Sequence, residues 1–261
     1  MTDDGPWMAL RKLTAARIGL RRSGSSLSTA PLLEFKLAHA RARDAVHEPL
    51  DAARLAADLQ SLGLPMLRAA SAAPDRENYL MRPDLGRRLT PDTEAALAPH
   101  TGPHDIAFIV TDGLSARAVQ SHAAPVLAEL LPLLHNENWN IAPLVIAQLG
   151  RVAIGDAIAA LLHADCAAVL IGERPGLTAP DSMGAYLTWR PGIQTTDADR
   201  NCISNIRPDG IGYADAAHKI AHLLRAMRAR RMSGVQLKDD SDRPALGATI
   251  EAIAPDAGRT P

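Results

Sequence analysis

The sequence places a carboxylate between glycines and a proline at the point where an apolar run stops. Residues 166–171 are all apolar, and "GERPG" follows directly at 172–176. Glycine allows backbone N–H and C=O groups to approach a ligand closely, and the Glu173 carboxylate accepts hydrogen bonds. We interpret this segment as either a solvated turn or part of a binding surface in which Glu173 is an acceptor.

Two other polar segments that contain glycine follow strand-like runs. "TDGLSA" at 111–116 follows the first run and "GRVAIGD" at 150–156 follows the second. In an open parallel sheet, ligands bind at the carboxyl ends of the strands. Each segment taken alone is most simply a turn between a strand and a helix. Together with Glu173, they predict a binding surface on one edge of the sheet.

The other patterns for nucleotide or metal binding are incomplete. Gly210 and Gly212 approach the dinucleotide fingerprint, but Asp215 stands where a third glycine is needed. The sequence has no Gly-Lys-Ser/Thr run of the phosphate-binding type. His218 and His222 have the i, i+4 spacing of a zinc pair without a third ligand, which favours a solvated helix face.

No complete catalytic group is visible. Asp112 and Ser115 lack a histidine base and do not make a triad. Cys202 has no activating base near it in the sequence, and a free cysteine usually packs as a small apolar residue. The residues themselves therefore predict a binding module whose chemistry a partner supplies.

Composition excludes several function classes. The chain has 261 residues and a net charge of −1, which argues against nucleic acid or an anionic membrane as the main partner. Its two cysteines, Cys166 and Cys202, form no disulfide framework and favour a reducing compartment. The sequence has no apolar run long enough to span a bilayer, and its start lacks a secretory signal. We expect a soluble, intracellular protein.

Apolar periodicity predicts a helical start followed by alternating strands and helices. Helices are predicted at 32–47, 51–62, 115–136 (bent or broken at Pro125), 154–164 and 213–231, and strands at 106–113, 142–150, 166–176 and 184–189. This alternation predicts an α/β fold with a mainly parallel, doubly wound, Rossmann-like sheet and an N-terminal helical region. We place the regions at 1–100, 101–238 and a loose tail at 239–261, with a boundary near 98–104.

Five segments, taken in order, resemble one known family. They are "ENYLMRPDLGRRL" (77–89), "TDGLSA", "GRVAIGD", "LIGERPGL" (170–177) and "RNCISNIRPDG" (200–210). The sequence closely resembles the small (light) subunit of ethanolamine ammonia-lyase from about residue 17 to about residue 235. The last two segments carry most of the resemblance, because they are long and unlike generic turns.

The resemblance implies a subunit of an adenosylcobalamin-dependent radical enzyme that converts ethanolamine to acetaldehyde and ammonia. The positions matching the family's cobalamin contacts are Val152, Glu173 and Cys202. The family's large subunit carries the substrate and the catalytic residues, so none is assigned here. We expect residues 1–100 to contact that subunit, in part through the helix predicted at 32–47 and through Arg82, Arg87 and Arg88, with a surface helix and ordinary solvated arginines as the alternative.

The resemblance also bears on the cofactor's form and on location. Without an Asp-x-His-x-x-Gly motif in the sequence, we expect the base-on cofactor, with dimethylbenzimidazole kept on cobalt. The location implied is the bacterial cytoplasm. The resemblance implies residence in a bacterial microcompartment less directly than it implies the activity, because the chain has only a short basic lead where some relatives have a long extension. A stand-alone α/β enzyme or nucleotide-binding module, and a purely structural adaptor, remain as alternative functions.

Overall fold

The computed structural model of the protein describes residues 5–14, 16–20 and 22–241. The α-helices in these ranges are α1 (Gly5–Arg11), α2 (Thr29–His47), α3 (Ala52–Leu59), α4 (Arg76–Met81), α5 (Pro91–Leu97), α6 (Ala116–His135), α7 (Ile154–Leu161) and α8 (Tyr213–Arg230). The strands are β1 (Arg22–Ser23), β2 (Ser26–Leu27), β3 (Met66–Ala70), β4 (His104–Thr111), β5 (Leu144–Gln148), β6 (Ala164–Gly172), β7 (Met183–Trp189) and β8 (Arg200–Ile206). The predicted α/β class is confirmed.

A six-stranded mixed sheet forms the centre of the described chain, in the order β3-β5-β4-β6-β7-β8. The pairs β3–β5, β5–β4 and β4–β6 are parallel, so the predicted mainly parallel character is confirmed. The strands β7 and β8 are antiparallel to their neighbours. A Rossmann-like, doubly wound arrangement stays a prediction.

The antiparallel end of the sheet departs from the simple alternation of strands and helices. Between Gly172 and Met183 the chain forms no helix, so it turns back instead of crossing over, and β7 runs against β6. A parallel neighbour would need a crossover connection, usually a helix. The strand β8, which the sequence analysis treated only as a motif, then pairs with β7.

Helices cover both faces of the sheet because its central strands are buried on both sides. Along β4, Phe108 and Val110 pack with α6 and α8 on one face, whereas Ala107 and Ile109 pack with α7 on the other. Such a strand reads as a continuous apolar run, which is why its position was predictable. The helix α6 continues through Pro125, so the predicted break there is wrong.

The sheet extends across the boundary predicted near 98–104. The strand β3 belongs to the region predicted as N-terminal, yet it pairs along its whole length with β5. Most of the predicted tail, from residue 242 onward, lies outside the described residues. No helix in the described part of the chain is both long enough and apolar enough to cross a membrane.

Candidate functional site

Glu173 lies just beyond the end of β6 and is held by groups immediately before β7 and on β8. Its backbone N–H donates to the carbonyl of Ser182 at 2.9 Å. Its carboxylate accepts hydrogen bonds from the hydroxyls of Ser182 and Ser204, and from the N–H of Asn205 at 3.2 Å. The carboxylate is therefore fixed across the ends of β6, β7 and β8 rather than free in solvent.

Gly184 leaves room for the Glu173 side chain, and Gly172 lets the loop at 112–115 approach β6 closely. A Cβ at Gly184 would stand 2.9 Å from the Oε1 atom of Glu173. A Cβ at Gly172 would stand 2.0 Å from the carbonyl oxygen of Ser115, which is far inside van der Waals contact. These positions require glycine because other backbone or side-chain atoms occupy the space that a Cβ would need.

The three polar segments singled out from the sequence meet at one cleft of about 460 Å³. It is lined by Gly113 from the first segment, Val152 from the second and Glu173 from the third, with Arg174 and Tyr186 beside them. The first two segments follow β4 and β5, whose carboxyl ends share an edge with that of β6. The prediction that these segments converge at one edge of the sheet is confirmed.

Cys202 lies on β8 directly opposite Tyr186 of β7, which lines the cleft. Desolvation raises the pKa of the Cys202 thiol, the Glu173 carboxylate adds to this effect, and a hydrogen bond with Tyr186 opposes it. The residue is nevertheless exposed, so the prediction that it packs as a small apolar residue is wrong, whereas Cys166 is buried. A free thiol thus stands beside the cleft.

Tyr79 supports the segment that carries Val152. Its side chain is fully buried, and its hydroxyl donates to the carbonyl of Gly150 at 3.1 Å. The guanidinium of Arg151 lies 4.1 Å from the centre of the Tyr79 ring and donates to the Tyr79 carbonyl. The N–H of Arg151 donates to the carbonyl of Gly86 at 2.7 Å, so the segment at 77–89 packs beneath Val152.

A buried ion pair supports the segment that follows β4. Arg76 donates to Asp112 at 3.2 Å and to the carbonyl of Gly113 at 2.7 Å, and its Nε donates to the carbonyl of Val46 near the end of α2. Burial raises the pKa of the Asp112 carboxyl to about 6, an effect that Arg76 and the N–H of Leu149 only partly offset. The Asp112 carboxylate is therefore engaged in supporting the loop.

A second buried ion pair joins α7 to β8. The Arg200 guanidinium donates to both carboxylate oxygens of Asp156, each at 2.6 Å. The two side chains are 2% and 9% exposed. Asp156 ends the segment that contains Val152, and Arg200 begins the segment that contains Cys202. The pair therefore fixes the relative position of two residues expected to contact the cofactor.

Comparison with known proteins identifies the family. Residues 4–238 match the family model described as ethanolamine ammonia-lyase light chain (EutC). The chain is 53% identical over 243 residues to the ethanolamine ammonia-lyase small subunit of Azotobacter vinelandii, covering 92% of this chain and 90% of that protein. It belongs to the ethanolamine ammonia-lyase small-subunit family.

Two other members of the family give the same result. The small subunit of Ralstonia nicotianae is 50% identical over 247 residues, covering 93% of this chain and 92% of that protein. The small subunit of Pseudomonas aeruginosa strain UCBPP-PA14 is 48% identical over 259 residues, covering 98% and 93%. The similarity to ethanolamine ammonia-lyase small subunits therefore extends over nearly the whole chain.

Ser115 and His222, two other candidates from the sequence, make contacts within the chain. Ser115 caps α6 and donates to the carbonyl of Pro180, so it is not part of a catalytic triad. His222 is hydrogen-bonded to Asp240 at 2.8 Å. Among the described residues, no group of three or more His, Cys, Asp or Glu side chains is arranged to hold a metal ion.

The residues that hold the site together were not predicted from the sequence. Ser182 and Ser204 are separated from Glu173 by 9 and 31 positions, and only the pairing of β6, β7 and β8 brings them to it. The one available signal was Asp156, a charged residue in an otherwise mainly apolar segment. Its pairing with Arg200 depends on tertiary packing.

Proposed function

We propose that this chain is the cobalamin-binding small subunit of an adenosylcobalamin-dependent ethanolamine ammonia-lyase. Together with a large subunit it converts ethanolamine to acetaldehyde and ammonia. The proposal rests mainly on one observation: Val152 and Glu173 line one cleft, and Cys202 stands beside it, opposite Tyr186. Relatives called "small subunit" support a larger partner. The complex acts in the bacterial cytoplasm, either free or enclosed in a microcompartment.

The groups around the cleft suit a corrin ring, which is apolar at its rim and carries amide side chains. The Glu173 carboxylate accepts hydrogen bonds from amide N–H groups, and Val152 offers a small apolar contact. Cobalamin is larger than a cleft of about 460 Å³, so this chain binds one side of it and the large subunit covers the remainder. The residues therefore fit the cofactor that the family implies.

This chain's part in the reaction is to bind, orient and shield. When bound, the cofactor supplies a Co–C bond whose homolysis starts radical chemistry. Glu173 fixes the orientation of corrin amides, while Val152 and Cys202 exclude water from the contact. The Asp112 and Ser115 side chains are engaged in structural contacts, which is consistent with catalytic residues on the large subunit. We retain the base-on form, since the sequence has no Asp-x-His-x-x-Gly motif.

The position of α4 disfavours the alternative of a nucleotide-binding module. The connections after β4 and β5 lead to α6 and α7 on opposite faces of the sheet. Dinucleotides bind in the crevice that two such connections form at the carboxyl ends of the strands. Here α4 covers that position, with Tyr79 bonded to Gly150 and Arg76 bonded to Gly113. A structural adaptor differs from our proposal because it needs no ligand.

The basic test is reconstitution of activity. We expect acetaldehyde to form from ethanolamine and adenosylcobalamin only when this chain and a large subunit are combined, because the catalytic residues belong to the partner. The measurement is acetaldehyde production by each subunit alone and by the pair at equal concentrations. Activity of this chain alone would refute the assignment and favour the stand-alone enzyme.

We expect Cys202 to report cofactor binding. N-ethylmaleimide should modify the exposed Cys202 but not Cys166, which is fully buried and whose thiol pKa is raised to about 12 by burial. In the complex, hydroxocobalamin at ten times its Kd should slow the modification of Cys202 by roughly tenfold. Peptide mass spectrometry gives the rate at each cysteine. An unchanged rate at Cys202 would show that the cofactor binds elsewhere.

We also propose that α2 binds the large subunit. It has 19 residues, of which Ala45 is the one classed as buried, and Leu33 and Leu37 are 59% and 52% exposed. Most of the stability of a helix in a protein comes from packing of its apolar face, and the exposed Leu33 and Leu37 are available for such packing against a partner. Arg76 ties Val46 near the end of this helix to the loop at the cleft, which places α2 beside the proposed cofactor surface.

Changing the apolar stripe of α2 should weaken assembly without unfolding the chain. We expect the double variant Leu33→Glu, Leu37→Glu to raise the Kd for the large subunit by at least about tenfold, because two apolar contacts are lost. Its unfolding free energy should change by less than about 0.5 kcal/mol. His39→Glu, an exposed change on the opposite side of the same helix, is the control. If the double variant and the unchanged protein bind the large subunit with equal affinity in an ultracentrifugation titration, α2 is not part of the interface.

The arginines of the segment at 77–89 are less available than the sequence suggested. Arg82 pairs with Asp84 at 2.9 Å, and Arg88 pairs with the same carboxylate at 3.2 Å. All three side chains of this cluster are about half exposed or more. We therefore keep an ion pair between the large subunit and Arg82, Arg87 or Arg88 in the proposal. We expect it to contribute less to the affinity for the large subunit than α2 does.

A further inference from the structure

The pairing of β7 with β8 is irregular beside Glu173. Ala185 pairs with Ile203 and Met183 pairs with Ile206, so Ser204 and Asn205 together lie opposite Gly184. Two residues opposite one define a β-bulge, a feature that redirects side chains and is common next to functional sites. Asn205 has φ of 60°, in the left-handed region that asparagine adopts more readily than most residues.

This bulge directs two donors at one carboxylate. The hydroxyl of Ser204 and the N–H of Asn205 are consecutive along β8, and both donate to Glu173. In a regular strand, neighbouring residues would present a side chain and an N–H in different directions. The third donor, the Ser182 hydroxyl, comes from the residue immediately before β7.

Ser204 forms this bond although it lies at an exposed position. A solvated serine hydroxyl has water available as a partner, so its bond to Glu173 is not needed to satisfy a buried group. The absence of a side chain at Gly184 lets the Glu173 carboxylate reach across β7 to this hydroxyl. The bond therefore orients Glu173 more than it stabilises the core.

We propose that the bulge at Ser204 and Asn205, together with Ser182, is a positioning device for Glu173. This inference rests on the proposed cofactor role of Glu173. The three donors fix both carboxylate oxygens and leave their remaining lone pairs for donors from a ligand. Such a carboxylate accepts N–H or O–H donors, such as the amide groups on a corrin, at a lower entropic cost, because its orientation is set before they arrive.

The test measures hydroxocobalamin binding to the assembled two-subunit complex by absorption titration. We expect Ser204→Ala to weaken binding by about tenfold, the usual effect of losing one charge-assisted hydrogen bond. Ser204→Thr keeps the hydroxyl and should restore the affinity to within about twofold of the unchanged protein. In the Glu173→Ala background, Ser204→Ala should have no further effect, because the residue it orients is gone.

A second arm tests the backbone of the bulge. Asn205→Gly permits the left-handed conformation and should bind nearly as well as the unchanged protein. Asn205→Val is expected to bind at least about fivefold more weakly, because a β-branched residue strains that conformation and displaces the N–H donor. Thermal unfolding of each complex identifies variants that fail to fold. If an Asn205 variant does not fold, the Ser204 variants decide the test.

Ser233→Ala is the matched control. Its hydroxyl also bonds backbone groups of the β7–β8 region, at Trp189 and Asp199, without contact to Glu173, so affinity should not change. If Glu173→Ala weakens binding but Ser204→Ala does not, the positioning role is wrong and the proposed function stands. If Glu173→Ala binds as well as the unchanged protein, the assigned role of Glu173 fails, and this inference fails with it.

Discussion

Asp156→Ala is expected to lower the unfolding free energy of the chain by about 3–5 kcal/mol, because it leaves the buried Arg200 guanidinium without its main ionic partner. The Arg200 side chain is 2% exposed and gives two hydrogen bonds of 2.6 Å to Asp156. Its Nε atom makes no hydrogen bond and lies 3.5 Å from the exposed carboxylate of Asp197, which compensates the buried charge less well than the two short bonds to Asp156. Urea denaturation followed by far-UV circular dichroism measures the change.

Two controls separate this effect from the loss of an ordinary ion pair. The double variant Asp156→Leu, Arg200→Met removes both charges and should recover most of the stability, because buried pairs are often replaceable by apolar groups of similar volume. Asp165→Ala breaks the exposed pair of Asp165 with Arg190, which should cost less than about 1 kcal/mol. Equal losses from Asp156→Ala and Asp165→Ala would contradict the buried-pair account.

The same variant should affect the cofactor surface. The pair joins α7, which follows Val152, to β8, which carries Cys202. Its loss allows these two elements to move relative to each other, so cobalamin affinity in the complex should fall together with stability. The double variant restores packing without the directional hydrogen bonds, so its affinity should recover less than its stability.

The central strands were predictable because a strand that is buried on both faces consists of a continuous run of apolar residues. The runs at β4, β5 and β6 have no exposed face to interrupt them, and all three were placed correctly. The strand β8 alternates buried Ile203 and Ile206 with exposed positions such as Ser204, so it has no such run. No helix was predicted from the sequence between β6 and β7, but the consequence that β7 must run antiparallel to β6 was not drawn.

The site was predictable only in part. Glu173 and Val152 follow strand ends, so local pattern and the rule about strand ends sufficed to place them at one edge. Cys202 was expected to be packed because free cysteines usually are, but β8 is the edge strand of the sheet and turns it toward solvent. The donors to Glu173 come from two later strands, and a bulge in their pairing is a tertiary feature without a sequence signature.

Removing the Tyr79 side chain is the second change with a large expected effect. Tyr79→Ala should lower the unfolding free energy by about 3–5 kcal/mol, because a fully buried aromatic ring leaves a cavity. The ring also lies between the guanidinium groups of Arg76 and Arg151, at 4.9 and 4.1 Å from its centre. In the variant both guanidinium groups lose their cation–π interaction with the ring, which adds to the loss of stability.

Tyr79→Phe separates the hydroxyl from the ring. It removes only the bond to the Gly150 carbonyl and should cost about 0.5–1.5 kcal/mol. Met81→Ala, on the same helix but 64% exposed, should change stability by less than about 0.5 kcal/mol. Urea denaturation of the three variants ranks their losses of unfolding free energy. If Tyr79→Ala loses no more than Met81→Ala, α4 does not support the site.

The functional consequence follows from what the ring holds. Tyr79 and Arg151 together fix the backbone from Gly150 to Val152, so cobalamin affinity should fall in Tyr79→Phe by more than its small stability loss alone would cause. Titration with hydroxocobalamin at a temperature where both complexes are fully folded makes this comparison. An affinity equal to that of the unchanged protein would mean that Val152 keeps its position without the Tyr79 hydroxyl, and that packing of the ring alone supports the loop.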